Sequence, residues 1–178
     1  MDTQVLFVDN KVNRTIVSFT GLGQHKEPTE KHFNDITNNF VKDFSGLLKQ
    51  HDFNILYVTD NKNSWYNAID VDLIRSKLIN QEVITLGNSM GAYNAIQFAN
   101  DFNVTKAIAF APQYSMHPDI VPNETRWSGK VRRIEQWKHK HLVFNDTTEY
   151  YIFSGDFESE KYHTDMIPRQ RNIYKFFV

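Results

Sequence analysis

The chain contains no cysteine among its 178 residues. This absence excludes disulfide bonds, a catalytic thiolate and a cysteine-ligated metal site. The formal net charge is only −1, so no overall charge favours binding to nucleic acid or to an anionic membrane. No apolar run approaches the length of a membrane-spanning helix, and the N-terminus lacks the basic residues and long apolar core of a signal peptide. The sequence therefore predicts a cytoplasmic protein that binds neither nucleic acid nor membrane.

The residues that are present have the composition of one globular domain spanning 1–178. Hydrophobic residues make up 40% and charged residues 23% of the chain, which is ordinary for a folded domain with a real core. Apolar segments alternate with helical or polar ones, and this predicts an α/β fold with a doubly wound, mostly parallel sheet flanked by helices. The predicted strands are 5–8, 14–19, 53–58, 83–86, 106–111, 150–153 and 172–178, and the predicted helices are 29–50, 70–79 and 92–100.

The most informative segment is 83–95, where a short apolar run leads into Gly-Asn-Ser-Met-Gly at 87–91 and then into a helix-forming stretch. A G-x-S-x-G pattern between a strand and a helix is typical of a nucleophile elbow. Ser89 would lie at the apex of the turn, while the two glycines let strand and helix approach closely. The amide of Met90, at a helix N-terminus, would stabilise an oxyanion. The alternative interpretation is an ordinary glycine-rich turn.

A serine nucleophile needs a histidine base and an orienting acid, which in this arrangement follow the serine in the order acid, histidine. Asp156 comes after a predicted strand and a turn glycine and is the predicted acid, although a turn aspartate would have the same pattern. His163 is the predicted base. It follows the acid more closely than usual, and the expected histidine loop after segment 172–178 is absent from these residues. His25 and His117 are alternatives, and a further alternative is a chain without its base.

A second oxyanion donor is expected from the loop that follows strand 14–19. Leu22 is the predicted donor, with the amide of Gly21 or Gly23 as an alternative. A plain glycine-rich turn is the competing interpretation of this loop.

Three side chains near the ends of predicted strands are candidates for substrate binding. Trp65 and Tyr66 would line a sugar or acyl pocket, or else seal the core beneath a loop. Gln113 follows a proline at the end of segment 106–111 and either faces the active site or caps the strand.

Segment 113–148 lacks a clear strand, contains two prolines and is rich in basic residues. The pattern predicts a cap-like insertion over the carboxyl edge of the sheet. The basic side chains either form a solvated helix face or favour an anionic substrate. They are Arg126, Lys130, Arg132, Arg133, Lys138 and Lys140, accompanied by His139 and His141.

The elbow, the Gly21 loop and Asp156 together resemble the α/β-hydrolase superfamily over most of the chain. Two further patterns, Ser-Trp-Tyr-Asn at 64–67 and Phe-Ala-Pro-Gln at 110–113, are similar to small α/β-hydrolase-like proteins encoded in bacterial surface-polysaccharide gene clusters. The resemblance implies an α/β-hydrolase fold and an intracellular esterase-like or acyl-transfer activity. It also implies that Ser89 is the serine and Asp156 the acid.

The leading hypothesis is a serine hydrolase that cleaves a small-molecule ester or thioester through an acyl-enzyme on Ser89, with no metal or cofactor. One alternative is a truncated or non-catalytic accessory or binding protein that keeps the fold, because the histidine loop is missing. Another is an acyltransferase of polysaccharide biosynthesis that uses the same serine, since pocket shape and water exclusion decide the acceptor.

Overall fold

The computed structural model describes residues 2–22, 42–48, 52–78 and 82–178. Within these residues the chain forms seven strands and five helices, numbered in chain order. The strands are β1 (Thr3–Val8), β2 (Arg14–Phe19), β3 (Asn54–Asp60), β4 (Glu82–Asn88), β5 (Val104–Phe110), β6 (Glu149–Ser154) and β7 (Ile173–Phe177). The helices are α1 (Ser45–Leu48), α2 (Val71–Arg75), α3 (Met90–Asp101), α4 (Ser128–Val131) and α5 (Glu158–Met166).

The seven strands form one sheet in the order β1-β3-β2-β4-β5-β6-β7. Strand β1 runs antiparallel to β3 at one edge, and the remaining neighbours are parallel. The predicted α/β class with a mostly parallel sheet is therefore confirmed. Most of the predicted helix 29–50 lies outside the described residues.

The hydrophobic core lies mainly between the sheet and helix α3. This helix packs against β2, β4 and β5, and every residue from Met90 to Ala99 is buried. Its small residues let the helix lie close to the strands. On the opposite face of the sheet, Leu48 of α1 packs with Ile16, Ile55 and neighbouring side chains. Helix α3 thereby fixes the turn that precedes it, which contains Ser89.

The segment between β5 and β6 has little regular structure, because α4 is a single helical turn. Hydrogen bonds to α3 hold it in place. The Gln97 side chain donates to the His141 carbonyl over 3.1 Å, and the Asn100 side chain donates to the Val143 carbonyl over 2.9 Å. The segment is thus anchored along a rigid helix, although the interpretation of 113–148 as a cap stays a prediction.

Candidate active site

Ser89 occupies the sharp turn between β4 and α3 with φ 55° and ψ −120°. Side chains other than glycine rarely adopt this backbone conformation, and such strain concentrates at functional sites. Two backbone hydrogen bonds hold the residue there. Its amide donates to the Phe110 carbonyl over 2.8 Å, and its carbonyl accepts from the Tyr93 amide over 3.1 Å. The strand–turn–helix geometry predicted from the sequence is therefore present.

The two glycines of the motif are required by close backbone contacts. A Cβ atom on Gly87 would lie 2.2 Å from the carbonyl of Gly91, and one on Gly91 would lie 2.3 Å from the carbonyl oxygen of Phe19. Both distances are far below van der Waals contact with atoms that cannot rotate away. The elbow can form only because neither residue has a side chain.

Ser89 borders a cavity of about 190 Å³ at the carboxyl edge of the sheet. This is the edge at which ligands bind in open α/β sheets. The cavity brings together three predicted site residues, Ser89, Gln113 and His163. The other lining residues are Asn88, Ala111, Pro112, Arg126, Trp127 and Glu160.

His163 lies on α5 and is almost completely buried, with 1% of its surface exposed. Its Nε2 atom lies 3.1 Å from Oε2 of Glu124, whose side chain is only 4% exposed. A carboxylate can only accept here, so Nε2 carries the proton and Nδ1 carries the lone pair. Nδ1 is buried and has no hydrogen-bond partner within the described part of the chain. The ring therefore has the tautomer of a general base whose acceptor atom is unused.

Arg126 extends the hydrogen-bond network of His163 and Glu124. Its Nε donates to both carboxylate oxygens of Glu124, at 3.0 and 2.9 Å, its Nη2 also contacts Oε2, and its Nη1 donates to Ser159 over 3.0 Å. Burial alone would raise the pKa of Glu124, but the hydrogen bonds from Arg126 and His163 outweigh it and lower that pKa. Glu124 is therefore held as a carboxylate.

The pKa of His163 is lowered, chiefly because burial disfavours the charged imidazolium. Glu124 acts in the opposite direction, and the nearby charge of Arg126 lowers the pKa further. The imidazole is thus neutral, and able to accept a proton, at pH values where an exposed histidine is partly charged.

Asp156, the acid predicted from the sequence, does not lie beside His163. It is exposed in the turn after β6 and does not line the cavity. The carboxylate hydrogen-bonded to His163 is that of Glu124, which sequence reasoning did not single out. Within the described residues, no hydrogen bond or ion pair joins Asp156 to the histidine. The sequence paired His163 with Asp156, whereas in the structure the histidine is hydrogen-bonded to Glu124.

Trp65 is fully buried and reaches the cavity only through Gln113. The indole Nε1 donates to Oε1 of Gln113 over 3.1 Å, and Nε2 of Gln113 donates to Oγ of Ser89 over 2.9 Å. Gln113 is 5% exposed. The sequence placed Gln113 near the site because it follows the end of β5, but nothing in the sequence linked it to Trp65.

Tyr66 is 2% exposed and its hydroxyl donates to Oδ2 of Asp101 over 2.8 Å. Burial, followed by the neighbouring Asp101 carboxylate, raises the pKa of this hydroxyl. Tyr66 is not among the cavity-lining residues. Its surroundings match the alternative interpretation, in which an aromatic side chain seals the core.

The two predicted oxyanion donors, the amides of Met90 and Leu22, lie at the start of α3 and in the loop after β2. Met90 is the first residue of α3, so its amide has no acceptor within the helix and lies directly after Ser89. Leu22 is half-buried and packs against the core. The amide of Gly21 donates to the Asp43 carboxylate over 2.8 Å and is occupied. The other alternative, Gly23, lies outside the described residues.

His117, one of the two alternative histidines, is not brought to the serine. His117 is buried, its Nδ1 accepts from the Asp119 amide over 3.2 Å, and its ring packs on Trp137. It does not line the cavity. His25 lies outside the described residues.

No group of three or more His, Cys, Asp or Glu side chains within the described residues could hold a metal ion. No helix in those residues is both apolar enough and long enough to traverse a bilayer.

Several solved structures share this architecture. A Glycosylation Associate Protein (Gap123) complex from Streptococcus agalactiae matches at TM-score 0.67 and 14% identity, over 99% of this chain and 40% of that one. A capsule O-acetyltransferase of Neisseria meningitidis serogroup A matches at TM-score 0.66 and 13% identity, over 99% of this chain and 83% of that one. An alpha-beta serine hydrolase homologue from Coxiella burnetii matches at TM-score 0.51 and 16% identity, over 98% and 81%.

The chain has the α/β-hydrolase fold. Identities this low establish the fold alone, and the chain spans less than half the length of the Gap123 protein. No protein-family model matches the sequence, and no curated protein matches it. Both resemblances expected from the sequence, to α/β-hydrolases and to proteins of surface-polysaccharide clusters, are confirmed at the level of fold.

Proposed function

We propose that the chain is a serine acyl hydrolase that cleaves a carboxylic ester or thioester through an acyl-enzyme on Ser89. The observation that carries the proposal is a single cavity bordered by Ser89, in its strained turn, and by His163, whose other ring nitrogen is bonded to a buried carboxylate. Nucleophile, base and orienting acid are the three parts that serine catalysis requires.

In this mechanism, Oγ of Ser89 attacks the acyl carbon while the hydroxyl proton passes to Nδ1 of His163. The carbonyl oxygen becomes an oxyanion that the Met90 amide stabilises, with the Leu22 amide as the proposed second donor. The tetrahedral intermediate collapses to the Ser89 ester as the leaving alcohol or thiol takes the proton from His163. Water then attacks the acyl-enzyme, with His163 again as base, and releases the acid and free Ser89.

Glu124 takes the role of the orienting acid in this proposal. It accepts the Nε2 proton of His163 and thereby places the lone pair on Nδ1. When His163 becomes charged, the carboxylate stabilises the imidazolium. Arg126 keeps Glu124 ionised. The guanidinium therefore acts on the reaction only indirectly, through Glu124 and then His163.

The experiment is intact-mass detection of fluorophosphonate labelling of the folded chain. We expect stoichiometric modification that is lost in Ser89→Ala and retained in Ser76→Ala, a matched change at an exposed serine outside the cavity. Failure of the folded chain to react, or undiminished labelling of Ser89→Ala, would overturn the proposal and favour the non-catalytic alternative.

Acyl transfer to a hydroxyl in place of water is the second candidate. What favours it is the likeness in fold to a capsule O-acetyltransferase, together with the sequence patterns at 64–67 and 110–113. The two reactions share every step up to the acyl-enzyme and differ only in the acceptor. Incubation with an acetyl thioester and a polysaccharide separates them, because transfer acetylates the sugar whereas hydrolysis releases acetate.

The preference for an anionic substrate stays a prediction. Arg126 does border the cavity, but its guanidinium is paired with Glu124, which compensates its charge. Lys138 and Lys140 are exposed on the same segment. Comparison of acetyl and succinyl esters of one alcohol would reveal any preference for negative charge.

A further inference from the structure

We propose that Gln113 is a positioning residue that directs the hydroxyl proton of Ser89 towards its base, and that Trp65 fixes the orientation of Gln113. The proposal rests on the nucleophilic role of Ser89 given above and adds what prepares that serine for attack. It assigns Trp65 and Gln113 to the chemistry of the serine, where the sequence had left open substrate contact, core sealing by Trp65 and strand capping by Gln113.

The orientation of the Gln113 amide follows from the chemistry of its neighbours. An indole N–H can only donate a hydrogen bond, so the amide atom that faces Trp65 at 3.1 Å must be the carbonyl oxygen. The NH₂ end is then the atom that lies 2.9 Å from Oγ of Ser89. The direction of this bond is therefore fixed, with Gln113 as the donor and Ser89 as the acceptor.

A serine hydroxyl has one proton and two lone pairs. Since Oγ accepts from Gln113, its own proton stays available for His163, which borders the same cavity. If the amide were reversed, its oxygen would accept the serine proton and withhold it from the base. The N–H of Gln113 also stabilises the negative charge that grows on Oγ as the proton leaves.

The backbone supports this arrangement from two separate loops. Trp65, after β3, and Ala111, two residues before Gln113, both have φ 46°. This left-handed region is costly for side chains other than glycine. Such strain persists only where surrounding structure imposes it, and here the two strained residues lie in the loops that carry Trp65 and Gln113.

The test compares Gln113→Glu with Gln113→Met in fluorophosphonate labelling at pH 8, where a carboxyl side chain is ionised. The glutamate has the same shape and still accepts from Trp65, but it offers Ser89 an acceptor that captures the proton. The methionine breaks both bonds without capturing the proton. We expect a maximal labelling rate about 10²-fold below wild type for Gln113→Glu, and a smaller loss for Gln113→Met. The concentration of probe giving half this rate should be unchanged.

A merely structural role predicts the opposite order, because Gln113→Glu preserves the Trp65 bond and Gln113→Met does not. That order, or a Gln113→Glu variant as fast as wild type, would overturn the proposal. If instead the wild-type chain is not labelled at Ser89, the proposed function fails, so the two failures are distinguishable.

Trp65→Phe tests the hydrogen bond from Trp65 to Gln113. It removes the indole N–H while keeping an aromatic ring in the core, so Gln113 can adopt both amide orientations. We expect labelling about 10-fold slower than wild type, which is less than the full contribution of general acid–base catalysis to a reaction rate. Trp137→Phe, which alters a tryptophan packed on His117, should leave the rate unchanged. Equal rates for the two variants would overturn the role of Trp65.

Discussion

Nε2 of His163 and Oε2 of Glu124 are 3.1 Å apart, and their side chains are 1% and 4% exposed. Water is thus almost excluded from the pair, and the second carboxylate oxygen is held by Arg126. A buried histidine with one nitrogen bonded and the other free has a defined tautomer, which a surface histidine does not have. This relationship supports the proposal that His163 is the base.

Glu124→Gln should slow labelling of Ser89 by about 10²- to 10⁴-fold, because it removes the charge that orients His163 and stabilises its imidazolium. Asp156→Asn, a matched carboxylate-to-amide change at an exposed position, should stay within a few-fold of wild type. Labelling rates measured on both folded variants decide the matter. Loss of reactivity in Asp156→Asn alone would return the acid role to Asp156.

Labelling of Ser89 should rise with pH and reach half its maximum below pH 6.5, the ordinary pKa of histidine. The sign follows from burial, which lowers the pKa of His163 and keeps the ring neutral to lower pH. Removal of the Glu124 charge in Glu124→Gln takes away the interaction that opposes this shift, so its half-maximum should lie lower still. A midpoint at or above 6.5 in the wild-type chain would contradict the burial argument.

Gly87→Ala should destabilise the fold by about 3 kcal/mol or more, because its Cβ would overlap backbone atoms that cannot move aside. The control is Gly129→Ala in α4, where a Cβ meets nothing within 4 Å. That change should be neutral or stabilising by about 0.5–1 kcal/mol, as alanine favours a helix. Urea denaturation of both variants measures the difference, and similar midpoints would show that the elbow is not tightly packed.

Tyr66→Phe should lower the free energy of unfolding by about 1.5–3 kcal/mol, since it removes a buried hydrogen bond to the Asp101 carboxylate. It should leave the labelling of Ser89 unchanged. Tyr174→Phe, at a tyrosine that is 40% exposed, should alter neither property. A change in the apparent affinity for substrate in Tyr66→Phe, without loss of stability, would support the pocket interpretation of this side chain.

Much of the fold could be predicted because the buried parallel strands are nearly all apolar and alternate with helical segments. Strand β2 was predicted with its observed bounds, and the others to within a few residues. The direction of β1 was not readable, since apolar content is similar in parallel and antiparallel pairs at an edge. Its pairing with β3, for example Val5 opposite Val58, is set by contacts distant in sequence.

The sharp turn at Ser89 could be predicted because the apolar strand, the Gly-Asn-Ser-Met-Gly segment and the helix-forming stretch follow one another directly within 83–95. Glu124 could not be predicted, because its segment has one helical turn and no periodicity that would predict which side chains face inward. Asp156 was favoured because it follows the serine and precedes the histidine in the chain. In the structure, the hydrogen-bond partner of His163 is instead Glu124, in a segment that precedes β6. The single available signal was a carboxylate two residues before Arg126, a spacing too common to identify a site.

The backbone of Ser89 also bears on the stability of the fold. At φ 55° and ψ −120°, glycine would be relaxed where serine and alanine are strained, so we expect Ser89→Gly to unfold at higher urea concentration than Ser89→Ala. Under the proposed function, the residue that carries the chemistry is then one whose own side chain strains the fold. Under the proposed function, stability alone would favour glycine at this position, whereas the chemistry would require serine.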